Sequence, residues 1–98
     1  MTRHRDVSVV IIEKTPYFET TIETIRPGGK IFSHYHPDLE FEYTLSDNLV
    51  CNGVPIKAGT FRTWRHCAVH GYENLSKEPA YILSKYYGRW KPEKEILV

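Results

Sequence analysis

Apolar and polar residues alternate along most of this chain, a pattern typical of β-strands with one face buried. In residues 17–25, Phe18, Thr20, Ile22 and Thr24 share one face, and the residues between them share the other. Similar runs occupy residues 7–12, 30–36, 40–45, 49–51, 54–56, 60–64 and 80–87. No segment has a sustained helical period. The pattern therefore predicts about eight or nine short strands in an antiparallel sandwich or barrel.

Turn residues separate these runs. Pro27-Gly28-Gly29 predicts a turn, because proline fixes φ and glycine accepts positive φ. Asn52-Gly53 predicts a two-residue hairpin loop. The β-branched run at residues 7–12 predicts a strand buried on both faces. Residues 88–98 are charged and are expected to form a short helix or an extended tail.

Length and composition narrow the class of protein. The 98 residues predict a single domain, residues 1–98, and 41% hydrophobic with 26% charged residues is ordinary for a globular chain. A net charge of +1 offers no basic excess for nucleic acid. Cys51 and Cys67 form no C-x-x-C pair, which favours reduced thiols and a cytoplasmic location. The apolar run at residues 9–12 is too short for a signal peptide or a membrane span.

Candidate metal ligands are concentrated in residues 29–40. His34 and His36 are one residue apart, so in a strand they lie on the same face, and Glu40 follows four residues later. Imidazole and carboxylate are good ligands for divalent first-row metals. A His-x-His pair also occurs by chance on surface strands, so a fourth ligand from elsewhere in the chain is needed.

Two motifs in this sequence resemble those of the cupin superfamily. The first cupin motif, G-x5-H-x-H-x3,4-E-x6-G, matches residues 28–47 through Gly28, His34, His36 and Glu40, with Asp47 at the closing glycine. The second, G-x5-P-x-G-x2-H-x3-N, matches residues 59–74. There the matching residues are Gly59, His70 and Asn74, while Arg65 replaces the proline and Cys67 the second glycine.

This resemblance implies a single-domain, antiparallel jelly-roll β-barrel. It also implies that His34, His36, Glu40 and His70 bind one divalent ion inside the barrel. Iron(II) is the first expectation, with Mn2+, Ni2+ or Zn2+ as alternatives, and open coordination positions would hold water, O2 or a chelating small molecule. Because related barrels often pair through edge strands, we expect a homodimer.

The resemblance predicts a small metal-dependent enzyme that acts on an oxygen-bearing small molecule. A dioxygenase is the commonest expectation, followed by an isomerase or lyase acting on a sugar acid or a carbonyl compound. A non-catalytic metal or ligand sensor, or a barrel without metal, are the alternatives. One fold hosts many activities, so the motifs do not specify the reaction.

Four further residues are candidates for the chemistry. Glu42 and Tyr43 could move a proton, although Glu42 could also be a solvated strand residue. Arg62 could bind a substrate carboxylate or form a surface ion pair, and Cys67 could be a pocket thiol or a packed side chain. His66 and His70 would share a face on a helix and could bind zinc, but the sequence around them lacks a helical period.

Overall fold

The structure, a computed structural model, describes residues 4–88 and 91–98. Within these residues all secondary structure is strand apart from a single 3-10 turn, Pro92–Lys94. The strands are β1 Arg5–Lys14, β2 Phe18–Tyr35, β3 Glu40–Thr44, β4 Leu49–Cys51, β5 Val54–Ile56, β6 Phe61–Trp64, β7 His70–Glu73, β8 Ala80–Tyr87 and β9 Ile96–Leu97. Every pairing is antiparallel. The predicted all-β, antiparallel architecture is confirmed.

The long strand β2 organises the sheet. The strand order is β5-β4-β7-β2-β8-β3-β6, and β1 and β9 also pair with β2. The first half of β2 pairs with β8 and β1, whereas its second half pairs with β7. In this second half His34 lies opposite His70. The register of β2 and β7 therefore brings the two sequence motifs together.

The turn predicted at Pro27-Gly28-Gly29 is wrong, because β2 runs through it without interruption. The backbone N–H of Gly28 donates to Asn74 O at 2.9 Å, and Asn74 N donates to Gly29 O at 3.0 Å. Gly28 has φ of 78°. A Cβ on Gly29 would lie 2.8 Å from Arg26 O. The glycines thus serve a bend and a close backbone approach within one strand.

The prediction that residues 7–12 are buried on both faces is also wrong. Strand β1 lies at the edge and, among the described residues, pairs only with β2. Val9, Val10, Ile11 and Ile12 are 57%, 61%, 52% and 53% exposed. A run of β-branched residues indicates a strand but does not tell whether another layer covers it.

The remaining local predictions hold at the hairpin and in part at the tail. Asn52 and Gly53 have φ of 49° and 79°, as a type I′ turn between β4 and β5 requires. Of the predicted tail, residues 89 and 90 lie outside the described residues, and residues 91–98 combine the 3-10 turn with the short strand β9, so this part is both briefly helical and extended. In the described part of the chain, no helix has the length and apolar character needed to cross a membrane.

The inner surface of the barrel is divided between an apolar end and a polar end. Ile25, Leu49, Tyr72 and Ile82 are among the buried residues of the apolar core. Several ionisable side chains are buried as well, namely Glu19, His34, His36, Glu40, Glu42, His70 and Glu95. Buried ionisable groups are costly unless they are paired or bind a metal, so the polar end is the candidate functional site.

Candidate metal centre

Three histidines from two separate segments meet inside the barrel. His34 lies near the end of β2, His36 follows that strand, and His70 begins β7. Their ring centroids are 4.3 Å apart for His34 and His70, 5.0 Å for His36 and His70, and 5.7 Å for His34 and His36. One ring nitrogen from each lies within 4.8 Å of the others, and all three side chains are buried.

Each of these rings is oriented by the backbone. His34 Nδ1 lies 2.8 Å from Phe32 O, His36 Nδ1 3.0 Å from Asp38 O, and His70 Nδ1 2.9 Å from Ala68 O. A carbonyl can only accept, so each Nδ1 carries the proton and donates. The neutral tautomer then leaves a lone pair on each Nε2, which is the form that binds a metal ion.

Glu40, the first residue of β3, supplies a carboxylate to the same cluster. Its Oε1 lies 3.1 Å from His36 Nε2 and 3.2 Å from His70 Nε2. With bonds of about 2.1 Å, two ligands at right angles around one metal ion are about 3.0 Å apart. His70 Nε2 is buried and has no hydrogen-bond partner among the described residues. These observations fit a metal ion.

Burial and neighbouring charges shift the protonation of the cluster. Burial, reinforced by the neighbouring His70, lowers the pKa of His34 to about 4, so its imidazole is neutral at neutral pH. Burial alone would raise the pKa of Glu40, but its contacts with His36 and His70 outweigh burial and lower it to about 2. For His70, burial alone would lower the pKa, but the contact with Glu40 and the charges of Glu42 and Glu40 outweigh burial and raise it.

A second carboxylate, Glu42, lies beside the cluster on the same face of β3. Its Oε1 accepts hydrogen bonds from Trp64 Nε1 and from Tyr72 OH, the latter at 2.8 Å. Ser84 Oγ lies 3.2 Å from Glu42 Oε2 and 3.0 Å from Glu23 Oε1, which joins the two carboxyl groups. Burial and the charge of Glu40 raise the pKa of Glu42 to about 7. Burial and the charges of Glu42 and Glu40 raise the pKa of Glu23 well above its usual range.

The cluster opens into a cavity of about 480 Å³. Its apolar wall comes from one face of β1, and its polar wall comes mainly from β2. Besides the cluster and Glu42, the lining residues are His4, Val7, Val9, Ile11, Glu19, Thr21, Glu23, Ile31, Tyr86 and Glu95. The volume is in the range of small-molecule sites.

Of the residues predicted to take part in chemistry, only Glu42 joins the four candidate ligands in this cavity. Tyr43 is 41% exposed and faces a separate outer depression lined by Phe41 and Phe61. Neighbouring residues in a strand point to opposite faces, so Tyr43 points away from the cavity that Glu42 lines. No contact there supports its predicted role in proton transfer.

Arg62 and Cys67 are also outside the cavity lining, so their predicted contact with a substrate has no support there. The guanidinium of Arg62 lies 5.8 Å from the ring centroid of Trp64. Cys67 is exposed, with Sγ 3.5 Å from His66 Nε2. His66 itself contacts Pro37 O, and no helix joins it to His70.

The replacement of the second glycine by Cys67 leaves the backbone conformation of the second motif in place at that position. Cys67 has φ of 56°, so it adopts the left-handed conformation expected of the glycine it replaces. Its backbone N–H donates to His36 O at 2.9 Å, which ties the two motifs together. In the first motif Asp47 accepts the N–H of Ala58 at 2.7 Å through its side chain.

Five ionisable cavity residues were missed by the sequence reasoning: His4, Glu19, Glu23, Tyr86 and Glu95. A signal existed for two of them. Glu19 and Glu23 alternate with Thr21 on the same face as the buried Ile25, so that face could have been assigned to the interior. His4 and Glu95 are 91 residues apart, and no local pattern connects them.

Comparisons with known proteins identify the fold. No protein-family model and no curated protein matches the sequence. The chain is similar to the solved structure of the polyketide cyclase RemF from Streptomyces resistomycificus, with 14% identity and a TM-score of 0.84 over 97% of this chain and 72% of that one.

Two further structures agree. A conserved protein with a double-stranded β-helix domain from Klebsiella pneumoniae has 23% identity and a TM-score of 0.78, covering 95% of this chain and 80% of that one. An RmlC-like cupin from Shewanella frigidimarina has 12% identity and a TM-score of 0.78, covering 92% and 83%. These likenesses show that the chain has the fold of the cupin superfamily, as its two motifs predicted.

Proposed function

We propose that this cupin-fold chain binds one divalent metal ion through His34, His36, Glu40 and His70 and acts on a neutral, oxygen-bearing small molecule. The observation that carries the proposal is the common orientation of the three imidazoles. Each has its Nδ1 proton donated to a backbone carbonyl, and each directs Nε2 toward the others. Buried ring lone pairs that converge in this way are stabilised by a cation.

Iron(II) is the first metal to test, because three imidazoles and a carboxylate suit it. The same ligands also suit Mn2+, Ni2+ and Zn2+. When bound, such an ion supplies a Lewis acid that polarises a carbonyl or hydroxyl oxygen, or a centre at which O2 can react. The residues of the chain would hold the ion, exclude water and orient the ligand.

The walls of the cavity favour a neutral and partly apolar ligand. Glu19, Glu23 and Glu42 line one side, and none of the described lining residues is a lysine or arginine that could pair with an anionic substrate such as a sugar acid. Val7 and Val9 supply apolar contact beside these side chains, since Val9 is the cross-strand partner of Glu23. A carbonyl compound or a phenol therefore fits better than the sugar acid expected from the resemblance.

Two residues are placed to orient such a ligand. Tyr86 lines the cavity while its hydroxyl donates to Asp38 Oδ2 at 2.6 Å, which fixes the ring. Its ring centroid lies 5.1 Å from that of His36. Glu42 lines the cavity with its oxygens held by Trp64, Tyr72 and Ser84. We propose Glu42 as the group that holds or moves a proton at Oε2.

Carbonyl chemistry of the isomerase or lyase type is the form of catalysis that we favour. The cavity suits an uncharged carbonyl compound, and the similar RemF structure is that of a polyketide cyclase. A dioxygenase would consume O2 in the presence of its substrate, whereas an isomerase or lyase would turn over equally well without air. A sensor would bind the same ligand and leave it unchanged.

Metal binding is tested on protein purified without chelator. Elemental analysis should find about one metal ion per chain, and Mn2+ or Co2+ at 100 times Kd should stabilise the apoprotein by about 2.7 kcal/mol. His70→Gln should weaken binding by at least about 100-fold, which exceeds the usual effect of groups that only orient a ligand. His66→Gln, an exposed histidine on the preceding loop, is the control. If no divalent ion binds the wild type, the proposal fails.

We also propose that two copies of the chain pair through β1. Its outer edge has no partner among the described residues, and four consecutive apolar side chains on it are more than half exposed. Residues Val7, Val9 and Ile11 on one face of β1 also form a wall of the cavity. A second copy on this strand would cover the exposed apolar face and shield the cavity from water.

A further inference from the structure

Two residues from opposite ends of the chain meet beside the metal centre. His4 lies just before β1, and Glu95 lies between the 3-10 turn and β9. Glu95 Oε1 lies 2.9 Å from His4 Nε2 and 3.2 Å from His34 Nε2. The three side chains offer ligand atoms that lie within 4.8 Å of one another. Neither His4 nor Glu95 belongs to the two sequence motifs.

The backbone of Phe32 assigns different tautomers to the two histidines. Phe32 N–H donates to His4 Nδ1 at 3.1 Å, so this nitrogen accepts and His4 Nε2 carries the proton. On the other side of the same residue, His34 Nδ1 donates to Phe32 O at 2.8 Å. His34 Nε2 is therefore unprotonated. His4 can donate to Glu95, whereas His34 cannot.

The contact between His34 Nε2 and Glu95 Oε1 is therefore a contact between two hydrogen-bond acceptors. A ring lone pair and a carboxylate oxygen 3.2 Å apart repel each other unless a cation lies between them. The contact between His70 Nε2 and Glu40 Oε1 has the same atoms, the same tautomer and the same 3.2 Å separation. Glu95 thus relates to His34 as Glu40 relates to His70.

We propose that Glu95 is a fifth protein ligand of the divalent metal ion and that His4 is a positioning residue that holds the Glu95 carboxylate. This inference rests on the proposed metal binding by His34, His36, Glu40 and His70. A second carboxylate makes the ion and its protein ligands formally neutral, where Glu40 alone leaves one positive charge. It adds an oxygen ligand, which favours Mn2+ and Fe2+, and it occupies a coordination position otherwise open to substrate.

The tail is anchored so that Glu95 is already in place. On one side Lys94 Nζ contacts Asp38 Oδ2 at 2.9 Å. On the other side Ile96 and Leu97 pair with the end of β2, and Val98 N donates to Ser33 O at 3.0 Å. The backbone is thus fixed before and after Glu95. Little conformational entropy would be lost when its carboxylate binds the ion.

The test measures metal affinity and ligand set in the full chain. Glu95→Gln should weaken Mn2+ binding by about 10- to 100-fold in calorimetry, and it should change the visible spectrum of the Co2+-loaded protein. Glu93→Gln removes the same charge from an exposed site two residues away, and it should change neither. His4→Phe should weaken binding by about 10-fold, and His4→Gln, which restores an N–H donor, should recover part of it.

Each outcome decides between the two proposals. If wild type binds Mn2+ and Glu95→Gln matches Glu93→Gln in affinity and spectrum, Glu95 is not a ligand and the four-ligand site stands. If wild type binds no metal, both proposals fail. Should the glutamine variant not fold as apoprotein, Glu95→Asp, which withdraws the carboxylate by one methylene, takes its place. An unchanged Co2+ spectrum in a folded Glu95→Asp protein would equally overturn the inference.

Discussion

Asn74 provides the sharpest test of what holds the loop after β7 against β2. Its side chain is fully buried, and Nδ2 donates to Ile25 O at 2.8 Å and to Glu78 O at 2.7 Å. Oδ1 accepts from Ser76 N at 3.0 Å and from Ser76 Oγ at 2.7 Å. Ser76 Oγ can donate to Glu78 O when Asn74 Oδ1 is removed, so three of these four hydrogen bonds would be lost without replacement. No substrate is needed to explain the residue.

Asn74→Ala should therefore destabilise the protein by about 3 kcal/mol, at roughly 1 kcal/mol for each hydrogen bond. For a domain of this size the thermal midpoint would fall by about 12–24 °C. The nearly isosteric Asn74→Asp should cost at least as much, since its oxygens would face two carbonyls. Chemical denaturation of the apoprotein gives the free energy of unfolding directly.

Asn48→Ala is the matched control. Asn48 Nδ2 donates to Ser76 Oγ at 3.0 Å, to Glu78 O at 3.1 Å and to Pro79 O at 3.2 Å, but its side chain is only half-buried, so water can replace much of what is lost. We expect a loss of about 1 kcal/mol. If Asn74→Ala were no more destabilising than Asn48→Ala, the assignment of Asn74 to fold stability would be wrong.

Two further predictions concern the edge strand and the strand that carries His70. Val10→Lys with Ile12→Lys, both outside the cavity lining, should convert a dimer into a folded monomer in light scattering. A wild type that is already monomeric at high concentration would refute pairing through β1. Gly71→Ala would place a Cβ 2.9 Å from Ile31 O and from Ser33 N, so it should destabilise the fold by about 2 kcal/mol and weaken metal binding through His70. Unchanged stability and affinity would contradict this.

Alternation and turn chemistry predicted most of the strands, because both are local properties. Asn52-Gly53 marked its hairpin, and the alternating residues 80–87 coincide with β8. The turn at Gly28-Gly29 was wrong because glycine equally permits a bulged, bent strand, and only the partner Asn74 decides between them. The exposure of β1 depends on what packs on it, and that is not a property of residues 5–14.

The candidate ligand set could be proposed from the sequence because its members stand at the spacings of the two motifs. His34 and His70 come together through the register of β2 and β7. The motifs imply that these two residues meet, but they do not give the register. Glu95 could not be found in this way. Its relevance depends on the tautomer of His34, and that tautomer follows from a hydrogen bond to Phe32 O that no spacing encodes.

The involvement of Glu95 would link metal binding to the order of both chain ends. Strand β9 has only two residues, so the tail is also held by the Lys94–Asp38 contact and by the hydrogen bond from Val98 N to Ser33 O. A bond from Glu95 to the ion, with His4 donating to the same oxygen, would join the tail and the start of β1 to β2. Because the binding free energy of a metal adds to the stability of whatever structure its ligands require, local opening of either chain end would cost more free energy in the holoprotein than in the apoprotein.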